Sequence, residues 1–431
     1  MNLNFIYNMY FKYVRKSSSD FYSDSEYDNI KKLLLDSYSV NSLNQIFKYA
    51  TENIPYYKLI DKKTFKELPI LTKDIIRKEF DNLHKQILSK DAFINMSGGS
   101  TGQPVKIIQD DTYKKFIRYT LNYYYEEILN INYNSIKKYI IWGSEKDILV
   151  WYGDWKKKIK NYLENSKQIN AFNINEQKIF NLVNDLNSFK PDYLSGYATS
   201  LYEIARIIKN KGLHLKFKPL VIVSNAETLQ DFMRQEIENV FQAKVHDFYG
   251  SRETGALGGE CKKGNYHFFN FNQWIDLVKD ESEYYKILVT TLHNYSMPLL
   301  KYEIGDLCTK LEEKCSCGCS LPTVKKIIGR ISDNFITSSG NIIHGEYFTH
   351  LLYFKENIKK FKIVQEDYEK ICFYIETDEL KELSKAEIKS INEAVKTVMG
   401  NNVNIYFFYQ KIEPTQNGKY LFTLSKVYKR K

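Results

Sequence analysis

The sequence is poor in the features that mark secreted and membrane-spanning proteins. It has only six cysteines among 431 residues, too few for a disulfide framework. It has no apolar run of about 18 residues, which argues against a transmembrane helix. Its first residues are interrupted by asparagine and lack the cationic start of a signal peptide. These absences predict a protein of the reducing cytoplasm with no transmembrane segment.

Charge of one sign is not concentrated in any part of the chain. Lys and Arg number 62 against 52 Asp and Glu, which gives a formal net charge of +10 without a basic tail or stripe. This excess favours anionic ligands in general, such as nucleotides or acidic surfaces, and specifies none of them. A zinc-stabilised nucleic-acid-binding protein is a distant alternative, because the chain lacks a recognisable nucleic-acid-binding module. We therefore expect no nucleic-acid partner.

Apolar segments alternate with amphipathic helical patterns through the middle of the chain. The segments KKYIIWG, DILVWYG and FKPLVIVS indicate buried strands, whereas QKIFNLVNDL and LYEIARIIKN indicate helices. Another helix is predicted to begin near Thr72 in PILTKDIIRKEF, and residues 260–330 are rich in strand patterns. The last hundred residues alternate strand, helix and strand, as in KICFYIET, 384–399 and VNIYFFY. This order predicts an α/β protein with mixed sheets.

A loop rich in glycine and hydroxyl groups occupies residues 95–106, NMSGGSTGQPVK. A P-loop needs a lysine directly after its last glycine, followed by Ser or Thr. Here Gly102 is followed by Gln103 and Pro104, so the loop is not a Walker A motif. Its glycine amides and hydroxyls still suit an anion.

Polar residues also follow several predicted strands downstream. In FYGSRE, Tyr249 offers an aromatic face, Gly250 permits close backbone approach, and Glu253 suits a divalent cation beside a phosphate. The other candidates are Ala226 and Glu227 in NAE, Asp306 in YEIGD, Arg330 in IGR, and Lys419 after the glycine turn QNG.

In this order, the motifs resemble those of the adenylate-forming superfamily of acyl-CoA synthetases and ligases. The resemblance is closest to the phenylacetate–CoA ligase branch, which includes ligase-like proteins of capsule biosynthesis loci. IFKYATENIPYYKLI and FKELPILTKDIIRKEF also resemble the N-terminal region of that branch, so nearly the whole chain is covered. The implied fold has a large N-terminal domain, residues 1–331, with mixed sheets and flanking helices. A hinge at 331–333 would join it to a small, mobile α+β lid domain, residues 332–431.

The resemblance implies a role for each motif. ATP would be held by Ser97, Gly99, Ser100, Thr101 and Gly102 at its phosphates, by Ala226, Glu227, Tyr249 and Gly250 at adenine, and by Asp306 and Arg330 at the ribose. The implied catalytic residues are Glu253, which is linked to Mg²⁺, Lys419 of the lid, and Arg252. Two positions depart from the usual pattern: Val105 stands where a lysine often follows proline, and Arg252 replaces a hydroxyl residue.

The implied reaction is the ATP-dependent activation of a carboxylic acid as an acyl-adenylate, followed by transfer to a thiol, with coenzyme A favoured. Two related alternatives are transfer to an amine or hydroxyl, as in tailoring a saccharide or metabolite, and adenylylation of a hydroxyl. Trp142, Tyr197 and Tyr249 would suit an aromatic acid. The partners would be a small carboxylic acid and its acceptor; monomer and homodimer both stay open.

Cysteine and histidine are spaced as metal ligands between residues 261 and 319. Cys261 and His267 form one pair, and Cys315 and Cys317 form a second. Four such ligands suit tetrahedral Zn²⁺, and the absence of an open position would make the site structural. Cys319 competes with Cys317 for the fourth position. Cys308 and Cys372 have apolar neighbours and are predicted to be core residues.

Overall fold

The computed structural model describes most of the chain from Asp36 onward. The described residues are 36–60, 62–88, 90–97, 105–133, 135–142, 161, 165–170, 178–280, 283–312, 314–330, 334–340, 342–343, 345–353, 355, 357–413 and 421–427. The predicted strand DILVWYG and the predicted hinge at 331–333 lie outside them.

A nine-stranded sheet forms the centre of the N-terminal part of the chain. Its strands, in spatial order, are β13 (Leu311–Glu312), β14 (Thr323–Val324), β9 (Tyr266–Phe268), β8 (Gly255–Glu260), β7 (Val245–Ser251), β6 (Val221–Asn225), β5 (Tyr193–Tyr197), β3 (Lys138–Trp142) and β4 (Ser166–Asn170). The five strands from β4 to β7 are parallel, whereas β8, β9, β14 and β13 add antiparallel pairs. The predicted mixed sheet is confirmed.

Amphipathic helices connect the parallel strands. They are α5 (Ile179–Phe189), α6 (Ala198–Asn210) and α7 (Asp231–Phe241). Helix α6 buries Leu201, Ile204, Ala205 and Ile208, whose spacing of three or four residues places them on one face. Because each crossover returns to the same edge, the carboxyl ends of β5, β6 and β7 lie side by side there.

The segment before this sheet contributes short helices and a hairpin. Its elements are α1 (Asp36–Asn53), α2 (Pro55–Leu59), α3 (Lys73–Lys78), α4 (Asp111–Tyr123) with a following π-helical turn (Tyr124–Ile128), 3₁₀ turns at Phe65–Glu67 and Phe80–Asn82, and the antiparallel strands β1 (Phe93–Met96) and β2 (Lys106–Gln109). Thr72 caps α3 by accepting a hydrogen bond from the Ile75 amide, as its position before the apolar pattern predicts.

A separate four-stranded sheet has the spatial order β10 (Gln273–Lys279), β11 (Tyr285–Thr291), β12 (Tyr302–Cys308) and β15 (Ile327–Arg330). Its strands confirm the strand-rich texture that the sequence predicts between residues 260 and 330. Cys308 on β12 is fully buried, as predicted for a core cysteine.

The chain divides into two compact units. The first takes the described residues of Met1–Val278, Lys286–Ile304 and Cys308–Ile327, and the second those of Lys279–Tyr285, Gly305–Leu307 and Ile328–Lys431. The domain boundary predicted at residues 331–332 stays a prediction.

The second unit has a small α+β core. Its elements are β16 (Phe335–Ile336), β17 (Ile342–Ile343), α8 (Gly345–Tyr353), β18 (Ile358–Asp367), β19 (Lys370–Thr377), a 3₁₀ turn (Asp378–Leu380), α9 (Lys385–Met399), β20 (Asn404–Tyr409) and β21 (Thr423–Ser425). Strands β20, β19, β18 and β21 form one sheet in that order. Ser384 and Glu387 cap α9 reciprocally. Among the described helices of the whole chain, none combines the length and the apolar character needed to cross a bilayer.

Candidate active site and metal centre

The base of the glycine-rich loop is closed by Ser97 and Val105. The Ser97 amide donates to the Val105 carbonyl at 2.9 Å, and the Val105 amide donates to Ser97 Oγ at 2.9 Å. Val105 is buried, so this position supplies no charge to a ligand. Gly99, Ser100, Thr101 and Gly102 lie outside the described residues, and their phosphate contacts stay predictions.

The hairpin that carries this loop is tied to the turn that carries Glu253. Asn95 Nδ2 on β1 and Gln109 Nε2 on β2 each donate a 3.0 Å hydrogen bond to the Arg252 carbonyl oxygen. Gln109 Nε2 also lies 3.3 Å from the Glu253 carbonyl oxygen. Sequence reasoning missed both amide side chains in this role. The one signal that pointed to them was their position at the two ends of the loop segment, with Asn95 as its first residue and Gln109 three residues after its last.

Glu253 itself is held in a protected position. Its side chain is 8% exposed, and Tyr302 donates a 3.5 Å hydrogen bond to its Oε1. Lys73 Nζ, at the start of α3, lies 3.9 Å from the same oxygen. The Glu253 charge also contributes, after burial, to raising the pKa of the Tyr113 phenol. A buried carboxylate with nearby donors suits a cation and phosphate oxygens.

The carbonyl oxygen of Arg252 accepts hydrogen bonds from Asn95 and Gln109, whereas its side chain faces solvent. The side chain is exposed and makes no ion pair with any residue that the structure describes. Nothing in this geometry assigns it a ligand contact, so its catalytic role stays a prediction.

The FYGSRE segment continues strand β7 through Gly250, where its pairing is irregular. A β-bulge lies between Tyr249 and Gly250, opposite β8. A Cβ atom at Gly250 would lie 2.6 Å from the Gly255 carbonyl oxygen, so a side chain there would force the strands apart. Glycine therefore allows the close strand contact that sets the path of the chain toward Glu253.

The NAE segment begins at the last residue of β6 and is hydrogen-bonded to the first turn of α6, which directly follows β5. Ala226 has a left-handed φ of +65°, unusual for a residue with a side chain. Glu227 Oε2 accepts hydrogen bonds from the Thr199 amide at 3.0 Å and from Thr199 Oγ1 at 2.6 Å. These contacts place NAE at the carboxyl edge of the parallel strands, where open α/β sheets bind ligands.

Two aromatic residues proposed for an acid pocket meet at that same edge. Trp142 ends β3 and Tyr197 ends β5, and their ring centroids are 4.6 Å apart. Tyr249 lies on β7, two strands away from β5. The structure thus brings the rings of Trp142 and Tyr197 together.

The residues predicted for the ribose belong to the second unit. Asp306 lies on β12 and Arg330 ends β15, the neighbouring strand of the four-stranded sheet. Both side chains are half-buried. Lys419 lies outside the described residues, so its position stays a prediction.

The four residues predicted to bind metal form one cluster. The ligand atoms of Cys261, His267, Cys315 and Cys317 all lie within 4.8 Å of one another. The Sγ atoms of Cys261 and Cys315 are 3.7 Å apart, and Cys317 Sγ is 3.2 Å from His267 Nε2. Two thiolates on one tetrahedral zinc are expected about 3.8 Å apart, given Zn–S bonds of about 2.3 Å. The donor set and its spacing therefore fit zinc.

The surroundings of the cluster orient the histidine and distinguish the cysteines. His267 Nδ1 lies 3.0 Å from Thr323 Oγ1 and 3.3 Å from the Leu321 carbonyl oxygen, which turns Nε2 toward the sulfurs. The Cys319 amide donates to Cys317 Sγ at 3.4 Å, whereas Cys319 is not part of the ligand cluster. The geometry favours Cys317 over Cys319.

Comparisons with known proteins agree with this architecture. Residues 335–426 match the protein family described as the CapK C-terminal domain. Protein CapK from Staphylococcus aureus is 27% identical over 428 residues, covering 94% of this chain and 93% of that protein. The phenylacetate-coenzyme A ligase of Thermus thermophilus is 24% identical over 191 residues, covering 42% of this chain and 43% of that protein.

Solved structures show the same fold at low sequence identity. A 2-hydroxyisobutyryl-CoA ligase in its postadenylation state has a TM-score of 0.64 at 15% identity, covering 89% of this chain and 88% of that one. An anthranilate CoA ligase bound to anthranoyl-AMP has a TM-score of 0.53 at 14% identity, covering 76% of this chain and 65% of that one. The resemblance drawn from the sequence motifs and the predicted fold are both confirmed.

Proposed function

Because the chain is CapK-like, carries a CapK C-terminal domain and has the adenylate-forming ligase fold, we propose that it activates a carboxylic acid with ATP. The observation that carries the proposal is the attachment of the glycine-rich loop to the Glu253 turn through Asn95 and Gln109. This attachment joins an anion-binding loop to a buried carboxylate. That pairing suits a nucleotide triphosphate with a divalent cation.

The proposed first step forms an acyl-adenylate. A carboxylate oxygen bonds to the α-phosphorus of ATP, and the bond to pyrophosphate breaks with its electron pair leaving on pyrophosphate. The transition state is rich in negative charge, so fixed donors and cations stabilise it without covalent help from the protein. Glu253 would hold Mg²⁺ together with phosphate oxygens, and the ion would neutralise part of that charge. Asp306 and Arg330 would hold the ribose, and Lys419 would act from the lid.

Coenzyme A is the acceptor that we propose for the second step. The support is that the solved neighbours described above are named CoA ligases. Acyl transfer to an amine or hydroxyl, or adenylylation of a hydroxyl, is the second candidate. It stays open because the sequence match that covers nearly the whole chain is to CapK, a name that specifies no acceptor, whereas the sequence match to a named CoA ligase covers 42% of the chain. We also propose a cytoplasmic location for the protein. It is supported by the proposed use of ATP and by the six free cysteines.

The Cys/His cluster is proposed as a structural zinc site. Its support is the fit of four ligand atoms to tetrahedral spacing and the fixed orientation of His267. All four positions of a tetrahedral ion would be filled by protein, so the site would stabilise the segment 261–319 and take no part in the reaction.

Acid-dependent exchange of radiolabelled pyrophosphate into ATP tests the proposed reaction. We expect exchange with at least one member of a panel of aromatic, aliphatic and hydroxy acids, and none without acid. Release of pyrophosphate and product mass with coenzyme A, amines or sugars then identifies the acceptor. No exchange with any acid in the panel would contradict the proposal.

A further inference from the structure

We propose that Lys73 binds the pyrophosphate portion of ATP, a role that no sequence motif or comparison described above assigns to it. The inference rests on the proposed function, since pyrophosphate is the group that the adenylation step releases. Its structural basis is the position of the Lys73 ammonium group beside Oε1 of Glu253. Lys73 forms no covalent bond; it supplies a positive charge where negative charge gathers.

The main chain places Lys73 in this position. The Leu71 amide donates to the Lys301 carbonyl at 3.1 Å, and the Glu303 amide donates to the Leu71 carbonyl at 2.9 Å. These two bonds align Leu71 with the start of β12, the strand that carries Tyr302. Ile76 is fully buried and anchors the helix that begins at Lys73. The main chain at the start of α3 is therefore fixed before any ligand binds, which lowers the cost of placing the Lys73 ammonium group beside Glu253.

Lys73 and Glu253 are close enough to attract each other electrostatically but do not form a hydrogen bond. Its N–O distance of 3.9 Å is too long for a hydrogen bond. By contrast, Lys244 approaches Glu238 to 2.9 Å elsewhere in the same unit. The Lys73 side chain is 31% exposed while that of Glu253 is 8% exposed. Among the described residues, none accepts a hydrogen bond from Lys73 Nζ, so its three donors are available to phosphate oxygens.

Two other lysines of the same unit have partners of their own. Lys301 Nζ donates to the carbonyl oxygens of Lys66 and Leu68 at 3.2 and 2.8 Å. Lys114 pairs with Asp111 at 3.0 Å. At the base of the loop, Val105 is apolar and buried. Lys73 is thus the cation that the described structure places against Glu253, and a tri- or tetra-anionic leaving group requires such a charge.

Direct binding of inorganic pyrophosphate tests the inference without any acid substrate. Isothermal titration of the full-length protein with pyrophosphate should show affinity about tenfold weaker in Lys73→Gln, a loss of about 1.4 kcal/mol. Lys73→Arg should keep affinity within about threefold, because it retains the charge. Lys78→Gln, at an exposed lysine of the same helix, is the matched control and should bind like the wild type. Thermal unfolding verifies that each variant is folded.

A second comparison separates phosphate binding from simple neutralisation of Glu253. In a Glu253→Gln background without divalent cations, Lys73→Gln should still weaken pyrophosphate binding about tenfold. If Lys73 only neutralised Glu253, its replacement would have no effect in that background, and this result would overturn the inference. Failure of the wild type to bind pyrophosphate at millimolar concentration would also overturn it.

The inference and the proposed reaction fail in different experiments. Acid-dependent exchange with an unchanged KM for pyrophosphate in Lys73→Gln would overturn the role of Lys73 and keep the reaction. Pyrophosphate binding that is lost in Lys73→Gln, with no exchange for any acid, would support Lys73 as an anion-binding residue and contradict acid activation.

Discussion

Gln109 donates a hydrogen bond of 3.0 Å from Nε2 to the carbonyl oxygen of Arg252, 143 residues away in sequence. This bond and its counterpart from Asn95 connect the base of the glycine-rich loop to the turn that positions Glu253. Because both amides bond to main-chain oxygens, they stabilise the turn whichever side chain occupies position 252. The hairpin that carries the loop and the turn that carries Glu253 are thus joined directly by these two side-chain hydrogen bonds.

Replacement of Gln109 by Leu should weaken this assembly. The side chain is 1% exposed, so two carbonyl oxygens would lose a buried donor, at a cost of about 1–3 kcal/mol in the free energy of unfolding. We also expect KM for ATP in pyrophosphate exchange to rise about tenfold, since the turn carrying Glu253 would lose its fixed position. Denaturant unfolding and exchange kinetics measure the two effects. Gln410→Leu, at an exposed glutamine, is the control; equal behaviour of the two variants would refute the positional role.

Purified protein should contain one equivalent of zinc. Cys317→Ser should lose it, because one of four ligands is removed, whereas Cys319→Ser should retain it. Elemental analysis of both variants decides between the two cysteines, and chelator-induced loss of stability in the wild type reports the structural role. Zinc retained by Cys317→Ser and lost by Cys319→Ser would reverse our choice of ligand. Folded wild-type protein without metal would exclude the site.

His293 should make the protein sensitive to mild acid. Its ring stacks on Phe116 with centroids 3.4 Å apart, and Nε2 lies 3.0 Å from the Phe271 carbonyl oxygen. Burial lowers the pKa of His293 to about 4. The unfolded chain therefore binds this proton more readily between about pH 6.5 and 4, so stability is complete above that window and falls as pH decreases through it. The full effect is about 3 kcal/mol.

The His293→Gln variant tests this pH dependence. Glutamine keeps a donor for the Phe271 carbonyl oxygen but has no proton to gain, so the free energy of unfolding should fall less steeply between about pH 6.5 and 4 than in the wild type. The variant should be less stable at neutral pH because it loses the ring stacking. His214→Gln, at an exposed histidine, is the control. Parallel pH profiles for the wild type and His293→Gln would disprove the assignment.

Lys419→Ala should abolish acyl-adenylate formation while leaving ATP binding and folding largely intact. The expectation follows from the role implied for a lysine of the lid, which acts on the transition state and not on the bound nucleotide. Pyrophosphate exchange and nucleotide titration measure the two properties separately. Lys396→Ala removes an exposed lysine of the same domain and should retain full exchange. Unchanged exchange in Lys419→Ala would show that the motif was assigned to the wrong lysine.

Local patterns in the sequence were sufficient to predict many of the helices and strands. Strand segments such as KICFYIET and the helix that begins after Thr72 occur where hydrophobic spacing and capping residues predict them. The order of the polar motifs was sufficient to suggest the fold that the comparisons confirm. Both kinds of signal work because they depend on neighbouring residues or on motif order, and neither requires knowledge of which distant segments touch.

Other features of the site depend on contacts between distant segments. The sequence left Cys317 and Cys319 as alternatives, and the turn at Gly318, with φ of +89°, helps to determine which sulfur faces His267. The sequence also contained no sign that Lys73 would lie beside Glu253, because that contact requires Leu71 to pair with the start of β12. The sequence by itself therefore determined the elements, the motifs and their order. The tertiary structure alone decided which side chains meet, since long-range strand pairing sets those distances.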